Sequence, residues 1–231
     1  NIISPSGEES GVLSTSGSIE FAEELSFVLE ETHILYTEFV PEVFTGDQLI
    51  RIAMHNIRPG IWKFRTTLEK GKNSTINAWI PQRALINSKT RFLNSDIYGT
   101  ITIPGDSTET ITAAGYDQDN FNLLGYSGVA FRDDFIDRID IAAGSKNAMA
   151  MGVNNKINII NGTSVAAAIA ASTCALLMEW GIVRRNYPYM STQSIKTFIA
   201  RGTQKRKGDI YPNAQWGYGI LNLYDIFSNI N

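Results

Sequence analysis

One serine in the sequence stands where it could act as a nucleophile, at the point where a β-like run meets an alanine-rich helix. The segment reads Asn161-Gly162-Thr163-Ser164-Val165-Ala166, and the β-like run covers residues 156–160. Glycine permits backbone geometry that a side chain forbids, and free N–H groups at a helix N-terminus point toward a bound group. A serine so placed can attack a carbonyl carbon while its own N–H stabilises the developing oxyanion. By composition alone, the same Thr-Ser pair is also an ordinary helix N-cap.

A serine nucleophile needs a general base and a group that orients this base. The chain contains two histidines, His33 and His55, and both fall within predicted strands of its first half. We expect each to be a histidine of the sheet and not a base. Asn161 lies three residues before the serine, and we assign it no role in binding the oxyanion.

The chain has few residues of the types that bind metals, so no cofactor is expected. The single cysteine, Cys174, excludes an internal disulfide and leaves too few thiols for a cysteine-based zinc site, and two histidines make a His-rich site unexpected. Cys174 is predicted to be a packed apolar side chain within a helix. Calcium is the alternative, although the spacing of the candidate ligands fits no EF-hand loop. These candidates are Asp117, Asp119, Asn120, Asp133, Asp134 and Asp137.

Length and composition limit the class of protein. The 231 residues suffice for one large domain or two small ones, and 43% hydrophobic with 19% charged residues indicates a folded chain. The net charge of −3 argues against a nucleic-acid partner. No apolar run reaches about 18 residues, so no membrane span is expected. Because there is no initiator Met and no signal-peptide pattern, we expect a processed product or a fragment of a longer protein.

Residues 1–99 are predicted to form an all-β domain. Short runs of β-branched and aromatic residues alternate with turn residues at intervals of about ten, which is typical of a β-sandwich. The runs 49–57 and 61–68 are predicted to pair as a hairpin, with Pro59 and Gly60 at its turn. Further strands are predicted within residues 25–39 and 73–80.

Residues 100–231 are predicted to form an α/β domain. Short strand-like runs lie at 100–103, 110–114 and 138–142. The alanine-rich stretch 164–180 predicts a helix that is buried on nearly all sides, because its residues are apolar all round. Two more helices are predicted at 191–200 and 221–230, the first with Ser191 or Thr192 as its N-cap and Gly202 as its terminator.

Four segments of this second part, taken in order, resemble the subtilisin-like serine proteases. They are Glu109–Ala130, Ile139–Ser145 (IDIAAGS), the run NGTSVAAAIAAS that contains Ser164, and Trp216–Asn222 (WGYGILN). The resemblance implies an α/β fold that is the C-terminal half of a parallel-sheet catalytic domain, with Ser164 as the catalytic nucleophile of a serine endopeptidase. The family's proline after the serine is replaced by Ala168, and the following histidine by Ile169.

The first half resembles a narrower group, the clostridial germination-specific (Csp-type) subtilases, in which a jelly-roll β-sandwich interrupts the catalytic domain. The matching runs include MHNIRPGIWKF and NAWIPQRALIN. This resemblance implies a partly truncated jelly-roll insertion, a location in bacterial spores, and the precursor of a spore cortex-lytic enzyme as the protein substrate. The family's segments that carry the catalytic Asp and His have no match here, so the chain alone is expected to be inactive.

Three explanations for the missing triad residues remain open. The preceding part of the protease is cut off, or it stays associated as a separate polypeptide, or the chain is a catalytically dead domain with a signalling or scaffolding role. A fragment should expose what its missing part covered, so we expect association with that part or self-association. A binding sandwich with an accidental Gly-Thr-Ser is the last alternative, and it leaves the matches in residues 100–231 unexplained.

Overall fold

The computed structural model describes residues 1–13, 20–43, 46–68, 71–132 and 139–230. The chain divides into two compact units, Asn1–Gln82 and Arg83–Asn231. Residues 83–99, which the sequence assigns to the first domain, therefore belong to the second compact unit.

The described residues of the first unit form five strands. An antiparallel sheet has the order β2-β3-β4, and a separate antiparallel pair joins β1 to β5. One face of the larger sheet is buried, where Leu25, Phe27, Ile34 and Tyr36 pack together with Ile2. The bounds are β1 Ile2–Ile3, β2 Glu20–Phe27, β3 Thr32–Phe39, β4 Leu49–His55 and β5 Lys63–Phe64.

The predicted hairpin between 49–57 and 61–68 is wrong. β4 pairs with β3, from His33 opposite His55 to Phe39 opposite Leu49, whereas β5 pairs with β1. The physical reason is the packing of the partly buried Trp62, whose ring lies edge-on against Phe27 with 5.2 Å between the ring centroids. The chain after Gly60 thus contributes an aromatic side chain to the core instead of running beside β4.

In the second unit, the residues that the structure describes form short strands and three α-helices. Its strands are β6 Ala113–Asp117, β7 Asn122–Leu123, β8 Ile141–Gly144, β9 Ala148–Met151 and β10 Ile157–Ile160. β6 lies between β7, which is antiparallel to it, and β8, which is parallel, while β9 and β10 form an antiparallel hairpin. The helices are α1 Thr163–Met178, α2 Thr192–Arg201 and α3 Leu223–Ser228. Short 3₁₀ turns occupy Arg83–Leu85 and Val153–Asn155, and a π-helical turn, Glu179–Val183, continues α1.

Two of the expected strands are absent from their predicted positions. Residues 73–80 and 100–103 are described and contain no strand. The run 110–114 contributes only its end to β6, and 138–142 contributes the start of β8, with residue 138 outside the described part. The parallel pair of β6 and β8 still agrees with the α/β prediction for this half of the chain.

Helix α1 is buried on one face only, contrary to the prediction. Val165, Ala166, Ala170 and Leu177 are buried, and the helix packs on β6 and β8. Other apolar side chains of the helix are exposed, namely Ile169, Leu176 and Met178, at 39%, 42% and 45%. The prediction of full burial failed because the residue types of an apolar helix do not reveal which of its faces the rest of the protein covers.

The span Thr163–Val183 is long and apolar enough to cross a membrane by its length and composition, with a mean hydropathy of 1.6. A helix that packs on a sheet in a domain core meets the same criterion. Because α1 packs on β6 and β8, this span is not evidence of a membrane-crossing segment.

The ends of α2 follow the predicted signals, and α3 has a side-chain cap that was not predicted. Ser191 is the N-cap of α2, its hydroxyl accepts the N–H of Ser194, and Gly202 follows the last residue. Asn222 caps α3 by accepting the N–H of Asp225. Ile195 and Ile199 of α2, Ile226 of α3 and Leu177 of α1 then form one buried cluster with Ile141.

Candidate active site

Ser164 is the second residue of α1, and its side chain is exposed. Gly162 occupies the N-cap with φ 134° and ψ 160°, and no side chain caps the helix. The hydroxyl of Ser164 therefore does not make the N-cap hydrogen bond that the Thr163-Ser164 pair allowed in the sequence. Within the described part of the chain, the hydroxyl has no hydrogen-bond partner, so it is available to a reacting group and to a base.

The conformation before the serine depends on glycine. A φ of +134° lies in a region that L-residues with a side chain rarely adopt. From this position the Gly162 N–H donates to the carbonyl of Ser145 at 3.0 Å, and its carbonyl accepts the N–H of Val165 at 2.9 Å. The first bond ties the segment to the end of β8, and the second begins the helix.

The nucleophile segment lies at the carboxyl edge of the parallel pair. β6 ends at Asp117 and β8 at Gly144, and Ser145 follows directly. Gly115 approaches closely here, since a Cβ placed on it would lie 2.9 Å from Ser145 Oγ and 3.3 Å from Thr163 Cγ2. Ligand sites in open α/β sheets form outside the carboxyl ends of strands, which is where Ser164 stands.

The hairpin of β9 and β10 leads into the nucleophile segment. At its base Ile160 is opposite Ala148, and Asn161 Oδ1 accepts the N–H of Asn147 at 2.7 Å. Asn161 is thus a positioning residue for the segment. The hairpin exposes apolar side chains, namely Met149, Met151, Val153, Ile157, Ile159 and Ile160.

An ion pair holds the neighbouring ends of β6 and β8. Lys146 Nζ lies 2.6 Å from Asp117 Oδ2, and the Asp117 carboxylate is 8% exposed. The hydrogen bond from Lys146 lowers the pKa of Asp117, and the same bond raises the pKa of Lys146. Asp117 also accepts the Asp119 N–H and the side-chain amide of Asn120. This carboxylate is therefore already occupied by donors and suits a structural role.

The calcium hypothesis stays a prediction. Asp117 is paired with an ammonium group, while Asp133, Asp134 and Asp137 lie outside the described residues. Among the residues that the structure describes, no group of three or more His, Cys, Asp or Glu side chains could hold a metal ion.

A second buried carboxylate of this unit lies at the other end of β8. Asp140 precedes the strand, accepts the Thr112 N–H at 2.8 Å, and pairs with Lys196 Nζ at 3.2 Å. It joins β8 to α2 and is not at the carboxyl edge. Residues 83–231 contain no histidine, since His33 and His55 belong to β3 and β4.

Cys174 lies in α1, where it is partly buried, and burial raises the pKa of its thiol. It packs against the buried cluster of Ile141 and Ile199. A thiol with a raised pKa is a poor nucleophile, in agreement with the predicted packing role.

Sequence reasoning singled out Ser164 but missed the residues that hold its segment in place. Ser145, Asn147 and Gly115 had no separate signal, because a backbone carbonyl, a backbone N–H and a missing Cβ perform their roles. The only hint was their position within or beside the family-like runs IDIAAGS and ITAAGY.

The profile of the Subtilase family, Peptidase S8, matches residues 87–219, more than half of the chain. The chain belongs to the subtilase family. Ser164 lies within the matched range. Among curated protein sequences no significant match is found.

A solved structure agrees with this subtilase fold. The chain is similar to the CspB protease of Clostridium perfringens, with a TM-score of 0.82 and 28% sequence identity over 99% of this chain. The match covers 48% of that protease, so this subtilase chain spans about half of its length. A second match is the prenylagaramide maturation protease PagA, at a TM-score of 0.46, 19% identity, 59% of this chain and 48% of that one.

Proposed function

We propose that this subtilase chain is part of a serine endopeptidase in which Ser164 is the nucleophile. The observation that carries the proposal is the exposed hydroxyl of Ser164 in the first turn of α1, directly after the positive-φ Gly162. The N–H groups of a first helical turn have no partner four residues earlier, so the Ser164 N–H can donate to an oxyanion.

In this mechanism Ser164 Oγ attacks the carbonyl carbon of a peptide bond and forms an acyl-enzyme, and water then hydrolyses the ester. The hydroxyl proton passes to a histidine base and from it to the leaving amine. That histidine and its orienting aspartate come from polypeptide outside this chain, because neither family segment has a match here. Loss of triad members costs about 10⁴–10⁶ in turnover, so the chain alone should be inactive.

The finer assignments follow the resemblance to the clostridial germination proteases. The substrate is the precursor of a spore cortex-lytic enzyme, the location is the bacterial spore, and the first unit, Asn1–Gln82, forms part of a jelly-roll insertion in the catalytic domain. The strand-rich first unit and the likeness to CspB protease support these assignments.

The partner of the chain is the remaining part of the protease, and in its absence a second copy. Exposed apolar side chains of α1 support this partner, since such side chains are unfavourable in water; they are Ile169, Leu176 and Met178.

The test uses the complete protein, with the preceding polypeptide present. A fluorophosphonate probe should label the wild type, and the label should map to Ser164. Ser164→Ala should abolish labelling. Ser172→Ala is the matched control, because Ser172 lies on the same helix and its hydroxyl donates to the Ala168 carbonyl at 2.9 Å.

Absence of labelling in a folded complete protein that carries the upstream Asp and His would reject the proposal. If those upstream positions carry other residues, the catalytically dead alternative is correct.

A further inference from the structure

The two histidines of the chain face each other across neighbouring strands of the first unit. β3 and β4 are antiparallel, and their register places His33 directly opposite His55. Both side chains are exposed, whereas the neighbouring residues Ile34 and Met54 face the apolar cluster on the other side of the sheet. Opposed residues on antiparallel strands have Cβ atoms about 4.5–5.5 Å apart.

A third side chain orients one of the rings. Ser26 of β2 is opposite His33 in register, and its Oγ lies 3.1 Å from His33 Nδ1. In the tautomer that donates from Nδ1 to this oxygen, Nε2 carries the free lone pair. Imidazoles that bind metals nearly always use their other ring nitrogen in such a hydrogen bond.

The surrounding charge favours a cation. Glu24 lies two residues before Ser26 on the same exposed face of β2, diagonal to His33. Diagonal neighbours in a sheet are within reach of long side chains. Leu35 lies opposite Glu24 on one side and opposite Ala53 on the other, and neither Leu35 nor Ala53 carries a charge.

We propose that His33 and His55 form a two-histidine binding site for a divalent transition metal ion such as Zn²⁺. Imidazole nitrogens bind Zn²⁺ at about 2.0–2.1 Å, and two imidazoles on opposed strand positions can converge on one ion. Water fills the remaining positions, and Glu24 contributes negative charge on the same face without being a ligand. A hard cation such as Mg²⁺ prefers oxygen ligands and is not bound here. The site lies entirely in the first unit and is independent of Ser164.

The experiment is titration of the full chain with ZnCl₂ by isothermal calorimetry. The wild type should bind one ion per chain at this site, while MgCl₂ should give no heat of binding. His33→Ala and His55→Ala should each weaken the affinity at least tenfold. Ser26→Ala and Glu24→Gln should weaken it less. Leu35→Ala, on the same exposed face, is the control that should leave it unchanged.

A measurement on the wild type avoids dependence on the folding of the variants. In NMR spectra the ring signals of both histidines should change together at the same fraction of added Zn²⁺. Binding that persists in a His33→Ala/His55→Ala variant, or that needs only one of the two histidines, would show adventitious metal binding and overturn the proposal. So would the absence of any Zn²⁺-dependent change.

Discussion

The N–H of Gly162 donates to the carbonyl of Ser145 at 3.0 Å, and this bond joins the nucleophile segment to the end of β8. Gly162 reaches that carbonyl only with a φ of +134°. The position of the Ser164 hydroxyl thus depends on a glycine that has no chemistry of its own.

Gly162→Ala should destabilise the protein and displace Ser164. A Cβ at this position meets open space, with Ser164 N at 3.9 Å, so the cost comes from backbone conformation and not from a clash. With φ 134° and ψ 160°, Gly162 occupies a region that almost only glycine adopts, and a residue with a side chain held there costs roughly 1–3 kcal/mol. Urea unfolding should show a loss of about this size, and fluorophosphonate labelling of the complete protein should fall.

Gly125→Ala is the matched control. A Cβ added to Gly125 has no atom within 4 Å, so it also meets open space, but the φ of Gly125 is not positive. Its stability should be unchanged or slightly higher. Equal effects of the two substitutions would contradict the conformational explanation.

Two adjacent leucines of α1 offer a test of which face is buried. Leu177 is fully buried, at 0% exposure, whereas Leu176 is 42% exposed. Leu177→Ala should lower the free energy of unfolding by about 2–5 kcal/mol, because it leaves a cavity in the cluster with Ile199 and Ile226. Leu176→Ala should cost clearly less in the same chain. The comparison can be made by denaturant unfolding, and equal losses would mean that the helix is rotated relative to the sheet.

The Lys146–Asp117 pair should stabilise the folded protein only between an acid limit and an alkaline limit of pH. The pKa of Asp117 is lowered, so its contribution is present above the ordinary aspartate pKa of about 3.9 and is lost as pH falls through the folded value. The pKa of Lys146 is raised, so its contribution is present below about 10.4 and is lost as pH rises through the folded value.

Lys146→Met should therefore flatten the stability profile at both ends. Thermal unfolding between acid and alkaline pH would measure this, with Lys156→Met as the control, since Lys156 is exposed. A wild-type profile that Lys146→Met leaves unchanged would mean that the pair does not contribute to stability.

The exposed apolar side chains of α1 should control association of the chain expressed alone. Ile169 and Leu176 are seven positions apart and lie on one side of the helix, so Ile169→Asp together with Leu176→Asp puts two charges there, and desolvating them would oppose any apolar contact. Sedimentation velocity should show that the wild type associates with rising concentration and that the variant stays monomeric.

Val12→Asp changes an 82% exposed apolar residue elsewhere in the chain and should not alter association. A wild type that remains monomeric at high concentration would contradict the expected self-association.

The sequence predicted the helices of this chain well, because their signals are local. Ser191 caps α2 and Gly202 ends it, while the small apolar residues after Gly162 have no good alternative to a helix. The exposed placement of Ser164 followed from the same local signals together with the resemblance of its surrounding segment.

The strands were harder to predict because their pairing is decided by distant residues. Pro59 and Gly60 gave a hairpin signal, yet the packing of Trp62 against Phe27 determined where the chain goes. The opposition of His33 and His55 depends equally on a register that no local pattern contains. Nor could the sequence show that Gly115 leaves room for Ser145 and Thr163.

The hydrogen-bonded base of the β9–β10 hairpin should let the length of its turn vary among homologues while the nucleophile segment keeps its position. Because Asn161 and Asn147 close the hairpin where it meets the nucleophile segment, the turn Val153–Asn155 at its far end can lengthen or shorten without moving Ser164. Insertions should accumulate at that tip among homologues, while the spacing from Ile160 to Ser164 stays fixed.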